Sequence, residues 1–147
     1  MVIAAVALVG LFPAMYLWLY KLGVVGTLSC KIGGCETVNT SPWAIFLGQP
    51  VALWGVAYYV LLFAVALAGT SERFASDRRV SIALVTLTGW GVLFSAYLTY
   101  LELAVIHAVC QWCVVSAVLV VILFALSVVD LRAGRTEYDR MRQITTE

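Results

Sequence analysis

The sequence predicts an all-α membrane protein, in which four transmembrane helices form a bundle and a short helix lies at the membrane interface. Of its 147 residues, 63% are hydrophobic and 12% are charged, whereas about 25% of the residues in a typical soluble domain are charged. The charged residues cluster between long apolar stretches, and those stretches lack the polar faces of a soluble helical bundle. The net charge of +1 gives no indication of a nucleic-acid partner, and we expect none.

Four apolar stretches approach the length of about 17–25 helical residues that spans a bilayer. They cover approximately Val2–Tyr20, Val51–Ala68, Val80–Leu101 and Val114–Val129. The first lacks the basic start of a signal peptide and is longer than the apolar core of about 7–15 residues found in one. We therefore interpret it as a transmembrane helix. Because the chain begins inside this stretch, we expect a short basic segment to precede it.

The basic residues predict the orientation. Segment 70–79 contains three arginines and segment 131–147 contains four, whereas the long segment 21–50 contains only two lysines. The positive-inside rule then places segment 70–79 and both termini in the cytoplasm. We expect a four-helix membrane domain over 1–130, with an outer loop at 21–50 and a cytoplasmic loop at 70–79, followed by a charged cytoplasmic tail over 131–147.

Four cysteines form two closely spaced pairs on the predicted outer side. Cys30 and Cys35 lie in the outer loop, and Cys110 and Cys113 lie where the fourth helix begins. That compartment is oxidising, so structural disulfides are one interpretation, which stays open for the first pair. A Cys-x-x-Cys disulfide closes a very small loop and stabilises little, whereas a helix N-terminus favours the reactive thiolate. We therefore interpret the second pair as redox-active.

A zinc site with four thiolate ligands is a further interpretation of the same residues. We disfavour it, and expect no metal, because an exported thiolate site competes with oxidation and a spacing of four residues between Cys30 and Cys35 is less usual for zinc.

The outer loop is predicted to contain a short helix over Pro42–Leu47. Ser41 is suited to cap its N-terminus, Pro42 to occupy its first position, and Gly48 to end it. The segment is too short to span a membrane and strongly apolar. We expect it to lie on the membrane surface as a lid over the bundle, with simple anchoring as the alternative.

The third apolar stretch carries a polar or small residue at every third or fourth position, which places these residues on one helical face. They are Thr88, Gly91, Ser95, Thr99 and Glu102. In a membrane such a face turns inward, either for close helix packing or to line a cavity. Glu102 is ionisable, and such residues in a membrane are usually functional. His107, in the link before Cys110, is either a solvated loop residue or a proton donor.

Taken in order, these features resemble the vitamin K epoxide reductase family. The matching residues are Cys30, Cys35, Ser41, Gly48-Gln49-Pro50, Gly55, Cys110 and Cys113. Segments 35–42 and 97–103 are particularly similar to the bacterial branch of that family. The resemblance covers about residues 2–130, nearly the whole chain.

The resemblance implies a bundle in the bacterial inner membrane that holds a quinone, namely menaquinone, ubiquinone or phylloquinone, at its outer end. It implies that the loop pair exchanges with an exported thioredoxin-like protein. Electrons then pass from Cys30 to Cys35, on to Cys110 and finally to Cys113, which faces the quinone. Since only residues 131–147 follow the fourth helix, we expect the partner to be a separate protein.

The resemblance also implies which residues surround the quinone. Those expected to contact it are Cys113, Ala117, Val51, Trp54, Phe46 and Ser95. Those expected in supporting or proton-relay roles are Ser41, Glu102 and His107.

Two positions favour quinone over epoxide as the substrate. Where the animal epoxide reductases have asparagine and tyrosine, this chain has Val51 and Ala117, and neither side chain can donate a proton. We therefore expect a quinone-linked thiol oxidase that supports disulfide formation. The alternatives are a quinone or vitamin K epoxide reductase that uses external thiols, and a non-enzymatic membrane protein with structural disulfides.

Overall fold

The computed structural model describes residues 1–31, 33–71 and 78–145, with side chains described as far as residue 134. The helices are α1 (Val2–Lys21), α2 (Cys35–Thr40), α3 (Val51–Ala68), α4 (Arg78–Tyr100) and α5 (Gln111–Thr145). Between α2 and α3 lie a 3-10 helix, Pro42–Ala44, and a two-stranded hairpin of β1 (Ile45–Phe46) and β2 (Gln49–Pro50). A π-helix, Leu101–Ile106, extends α4.

Within the described residues, four helices are long and apolar enough to cross a membrane, which confirms the predicted four-helix membrane fold. They are α1, α3, α4 together with its π-helix, and α5 as far as Gly134. Residues 72–77, including Arg73 of the predicted cytoplasmic loop, lie outside the described residues. So do the side chains of the tail beyond residue 134, although the backbone of α5 is helical to Thr145.

Close packing of α1 against α3 and α5 forms the core of the bundle. Ala7 on α1 is fully buried beside Tyr59 and Leu62 on α3 and Leu123 on α5. A Cβ atom at Gly10 would overlap the Tyr59 ring, so α1 can approach α3 this closely only with glycine there. Contact between α3 and α4 is less extensive, and a cavity opens along that side of the bundle.

The loop before α3 differs from the prediction. The expected helix over Pro42–Leu47 is wrong beyond Ala44, since only one 3-10 turn forms. Leu47 and Gly48 have positive φ values of 53° and 77° and connect the two strands of the hairpin, with Phe46 paired to Gln49. Positive φ at both central residues is typical of the tight turns that join hairpin strands. Gly48 therefore serves a turn and does not end a helix.

Ser41 precedes the 3-10 helix as predicted, with Pro42 in its first turn. The predicted side-chain cap is wrong, because no capping hydrogen bond forms there. The Ser41 hydroxyl instead donates a hydrogen bond of 2.7 Å to the Val38 carbonyl oxygen. It thereby closes the end of α2, a helix that the sequence did not predict.

Candidate functional site

The four cysteines lie at one end of the bundle, where α1 ends and α3 and α5 begin; we call this the cysteine end. Cys30 and Cys35 form a disulfide with Cα atoms 6.0 Å apart, whereas Cys110 and Cys113 are free thiols. Cys35 and Cys110 are both completely buried and belong to the same apolar cluster. The structure therefore brings together one member of each pair.

Several hydrogen bonds hold the disulfide loop against the start of α5. The Trp112 indole N–H donates to the Ser29 carbonyl oxygen at 3.0 Å, and the Lys31 backbone N–H donates to the Gln111 side-chain oxygen at 3.2 Å. The Ser29 backbone N–H donates in turn to the Tyr16 hydroxyl at 2.9 Å. These bonds fix the loop over the N-terminus of the helix that carries Cys113.

The backbone of the loop also approaches the link before Cys110 very closely. A Cβ atom at Gly34 would overlap the backbone nitrogen and carbonyl of Val109. Glycine is therefore required at the residue before Cys35 for α2 to lie directly on this link. The same contact sets Cys35 and Cys110 into one buried cluster.

Asn39 bridges the two cysteine pairs, a position that was not predicted from the sequence. Its side-chain amide donates to the Cys35 carbonyl oxygen at 2.9 Å and to the Cys110 sulfur at 3.8 Å. Asn39 is only 6% exposed. A spacing of four residues from Cys35 was the available signal, but it has meaning only once segment 35–40 is known to be helical.

Cys110 immediately precedes α5, and the Glu102 carboxylate accepts its backbone N–H at 3.0 Å. A hydrogen bond with the Cys113 thiol, supported by the backbone N–H groups of Cys113 and Trp112, lowers the pKa of Cys110 from its usual value. Burial and the charge of Glu102 oppose that shift. Stabilisation of a thiolate by the first turn of a helix is typical of redox-active cysteines.

A cavity of about 490 Å³ lies below the cysteine end, among α1, α3, α4 and α5. Small-molecule sites in proteins are mostly apolar and measure about 300–1,000 Å³. Cys113 lines this cavity and Cys110 does not. All six residues expected at the quinone line it: Cys113, Ala117, Val51, Trp54, Phe46 and Ser95.

Two of the three expected supporting residues also line the cavity. Ser41 and Glu102 do so, and Glu102 is only 4% exposed and lies next to the Cys113 thiol. His107 does not line the cavity. It is an exposed residue in the left-handed conformation, with φ of 56°, where it ends the π-helix.

The predicted polar face of α4 turns inward, as expected. Thr88 and Gly91 are buried, and Gly91, Ser95, Thr99 and Glu102 line the cavity. A Cβ atom at Gly91 would overlap the Tyr58 hydroxyl of α3. This face of α4 therefore does both of the things expected of it: it allows close packing against α3 and it lines a cavity.

Aromatic residues form much of the cavity wall, and most of them were not predicted from the sequence. Those not identified are Trp43, Tyr58, Tyr59, Trp90 and Phe94. Phe46 is held over the cavity, because the Trp54 indole donates to its carbonyl oxygen at 3.1 Å and its ring lies 5.7 Å from that of Phe94. Trp90 and Phe94 are four residues apart on α4, a spacing that could have revealed a shared face.

The chain matches the model of a known protein family over most of its length. The model of the vitamin K epoxide reductase family matches residues 1–128. The matched range contains all four cysteines and every residue that lines the cavity.

Proposed function

Since the chain belongs to the vitamin K epoxide reductase family, whose members are membrane oxidoreductases that link disulfides to quinones, we propose that it is a thiol oxidase. It takes electrons from a separate, exported thioredoxin-like protein and delivers them to a quinone, so that the partner regains its disulfide. One arrangement carries this proposal: the buried contact of Asn39 with Cys35 and Cys110, next to a cavity lined by Cys113.

The first exchange takes place at the loop pair. A thiolate of the partner attacks the Cys30 sulfur and releases Cys35 as a thiolate. The second thiol of the partner then attacks the mixed disulfide, which oxidises the partner and releases Cys30. Cys30 suits the role of entry point because it is partly exposed, whereas Cys35 is completely buried.

The second exchange takes place inside the protein. Cys35 attacks the Cys110 sulfur of a Cys110–Cys113 disulfide and releases Cys113 as a thiolate. Cys30 then attacks the Cys35 sulfur, restores the loop disulfide and releases Cys110. The structure, with the loop pair bonded and the second pair free, corresponds to the state after these steps.

The cavity fits a quinone in volume and in its mainly apolar, aromatic lining. Oxidation of the Cys110 and Cys113 thiols to a disulfide releases two electrons and two protons, and a bound quinone accepts both. Val51, Ala117 and Phe46 would contact its apolar parts. Glu102 lies next to the Cys113 thiol and is placed to take up a proton and pass it into the cavity.

The lining favours quinone reduction over the reduction of an epoxide. Val51 and Ala117 occupy the two positions discussed above, and both face the cavity with side chains that donate no proton. A non-enzymatic role with two structural disulfides is disfavoured, because Cys110 and Cys113 are free thiols beside this cavity.

We expect replacement of Cys113→Ala to abolish quinone reduction driven by a reduced thioredoxin-like protein. The measurement uses the purified protein and follows the absorbance of menaquinone, ubiquinone and phylloquinone analogues in turn. Quinone reduction by this variant would contradict the assignment of Cys113. Reduction of a quinone epoxide by the unaltered protein would favour the alternative reaction.

We expect Cys35→Ser to trap the oxidised partner on Cys30 as a mixed disulfide. The Cys30 thiolate attacks the partner's disulfide and releases one partner thiolate, and the Cys35 thiol that would displace the partner from Cys30 is absent. Non-reducing electrophoresis and mass spectrometry of the linked peptides measure the adduct. The matched control is the double variant Cys30→Ser with Cys35→Ser, which should form none. An adduct on any other cysteine would show that electrons enter elsewhere.

A further inference from the structure

Asn39 occupies an unusual place between the two cysteine pairs. It lies one turn after Cys35 on α2, on the same helical face. Its amide reaches both the Cys35 carbonyl oxygen and the Cys110 sulfur, at 2.9 and 3.8 Å, and the residue is almost completely buried. A buried N–H donor directed at a sulfur favours the thiolate over the thiol.

The groups around Cys110 explain why such a donor matters. The Glu102 carboxylate approaches from the π-helix, and its negative charge disfavours a second negative charge on the adjacent sulfur. Cys113 faces Cys110 from α5, and Tyr16 and Tyr20 of α1 pack at the edge of the same cluster. From α2, the group that contacts the sulfur is the uncharged amide of Asn39.

We propose that Asn39 is a catalytic residue of the internal exchange, where its amide stabilises the Cys110 sulfur as it leaves as a thiolate. The inference rests on the proposed function. In the mixed disulfide between Cys35 and Cys110, the Cys30 thiolate attacks the Cys35 sulfur. The Cys30–Cys35 bond forms as the Cys35–Cys110 bond breaks, and the electron pair of the broken bond stays on Cys110.

The position of the amide suits this step. A leaving thiol with a lower pKa departs faster, so a donor to the Cys110 sulfur accelerates its release. The same amide also binds the carbonyl oxygen of Cys35, the residue under attack. Asn39 therefore positions Cys35 and Cys110, whose bond breaks in this step, and stabilises the negative charge that develops on the Cys110 sulfur.

The test measures the Cys110 pKa in a protein that carries out no turnover. In the Cys113→Ala variant with the loop disulfide intact, Cys110 is the only free thiol of the chain. Labelling the cysteine Cβ atoms with ¹³C allows NMR to follow its ionisation with pH, even though the residue is buried. The side-chain ¹⁵N signal of Asn39 should shift with the same apparent pKa as the Cys110 Cβ signal.

We expect Asn39→Leu to raise the Cys110 pKa in this background by about one unit, because a hydrogen bond to the charged form is lost. Asn39→Asp should raise it further, since a carboxylate would then face the sulfur. Thr40→Val is the matched control: it removes a side-chain hydrogen bond of the same helix, 2.7 Å from Thr40 to the Glu36 carbonyl oxygen, and should leave the pKa unchanged.

With all four cysteines present, Asn39→Leu should slow the return of the disulfide to the loop about threefold. The mixed disulfide of Cys35 and Cys110 should then accumulate during turnover, as acid quenching and mass spectrometry would reveal. An unchanged Cys110 pKa in Asn39→Leu would overturn the inference. So would an Asn39 amide signal that does not shift as Cys110 ionises, and this second measurement does not depend on the folding of any Asn39 variant. A shifted pKa in a protein that reduces no quinone would instead overturn the proposed function alone.

Discussion

Three features coincide at Glu102. It is an ionisable side chain that is 4% exposed, its carboxylate accepts the Cys110 backbone N–H at 3.0 Å, and it lines the cavity beside Cys113. Burial of a carboxylate is costly unless it has partners. Here the partners are the Cys110 N–H and the Cys113 thiol. We therefore propose that the same group both orients Cys110 and moves a proton.

We predict that Glu102→Gln slows quinone reduction by about a hundredfold, the lower range for loss of a general acid or base. The amide oxygen can still accept the Cys110 N–H, so the cysteines should remain in place. Stopped-flow absorbance of the quinone measures the slowed step. In the same variant, the mixed disulfide between the partner and Cys30 should form at the unaltered rate.

Glu36→Gln is the matched control, since the Glu36 carboxylate accepts the Leu28 N–H at 3.4 Å from an exposed position and does not line the cavity. It should reduce quinone at the normal rate. If Glu102→Gln and Glu36→Gln behave alike, Glu102 is a structural acceptor and the proton takes another route.

Single residues were predictable to the extent that their chemistry is local. Cys113, Val51 and Ser95 were expected at the cavity and line it, although their contact with a quinone stays a prediction. Asn39 was not predictable, because its function depends on a helix of six residues and on a sulfur 71 positions away. No pattern along the sequence predicts a contact between two residues that lie so far apart in the chain.

At the scale of elements, the transmembrane helices followed from the sequence and the outer loop did not. An apolar stretch in a bilayer has to satisfy its backbone hydrogen bonds internally, so Val51–Ala68 forms a helix in the structure with the predicted bounds. In the loop, α2 and the hairpin depend on tertiary contacts. The hairpin is held by contacts of Phe46 with Trp54 on α3 and with Phe94 on α4.

We predict that Gly34→Ala disrupts the contact between α2 and the link before Cys110. The added methyl group would overlap the Val109 backbone, which cannot move as a side chain would. The loop pair should still accept electrons from the partner, whereas transfer to Cys110 and Cys113 should slow at least about tenfold, since displacement of reacting groups by about 1 Å costs up to a hundredfold.

Trapping experiments distinguish these two steps. Alkylation and mass spectrometry after a single mixing with reduced partner would show loop thiols accumulating while the second pair stays oxidised. Gly26→Ala is the control, because a Cβ atom there meets no other atom within 4 Å. Equal transfer rates in the two variants would mean that the loop tolerates displacement from Val109.

At the scale of the whole molecule, close packing on one side of the bundle accompanies a cavity on the other. Glycine and alanine on α1 let Tyr59 reach across to Ser116 on α5, with the two hydroxyl oxygens 2.9 Å apart. The side between α3 and α4 is less tightly packed, and Trp90 there is 69% exposed. In a membrane this side of the cavity would face lipid, and we expect a lipid-soluble quinone to enter there.

The proposed function requires the cysteine end to face the exterior, and two exposed positions test this directly. Thr27 lies in the loop near Cys30, and Ser71 lies at the opposite end of the bundle after α3. In a variant whose four native cysteines are replaced by alanine, we predict that Thr27→Cys reacts with a membrane-impermeant maleimide in intact cells. Ser71→Cys should react only after the membrane is permeabilised.

The prediction follows from charge, because Ser71 belongs to segment 70–79, which contains three arginines, and the positive-inside rule retains such segments in the cytoplasm. Each position serves as the control for the other, since both are exposed and a general loss of folding would make both reactive or neither. Labelling of Ser71→Cys alone in intact cells would place the cysteine end inside. The disulfide partner would then have to be a cytoplasmic protein, and an exported thioredoxin-like protein could not reach Cys30.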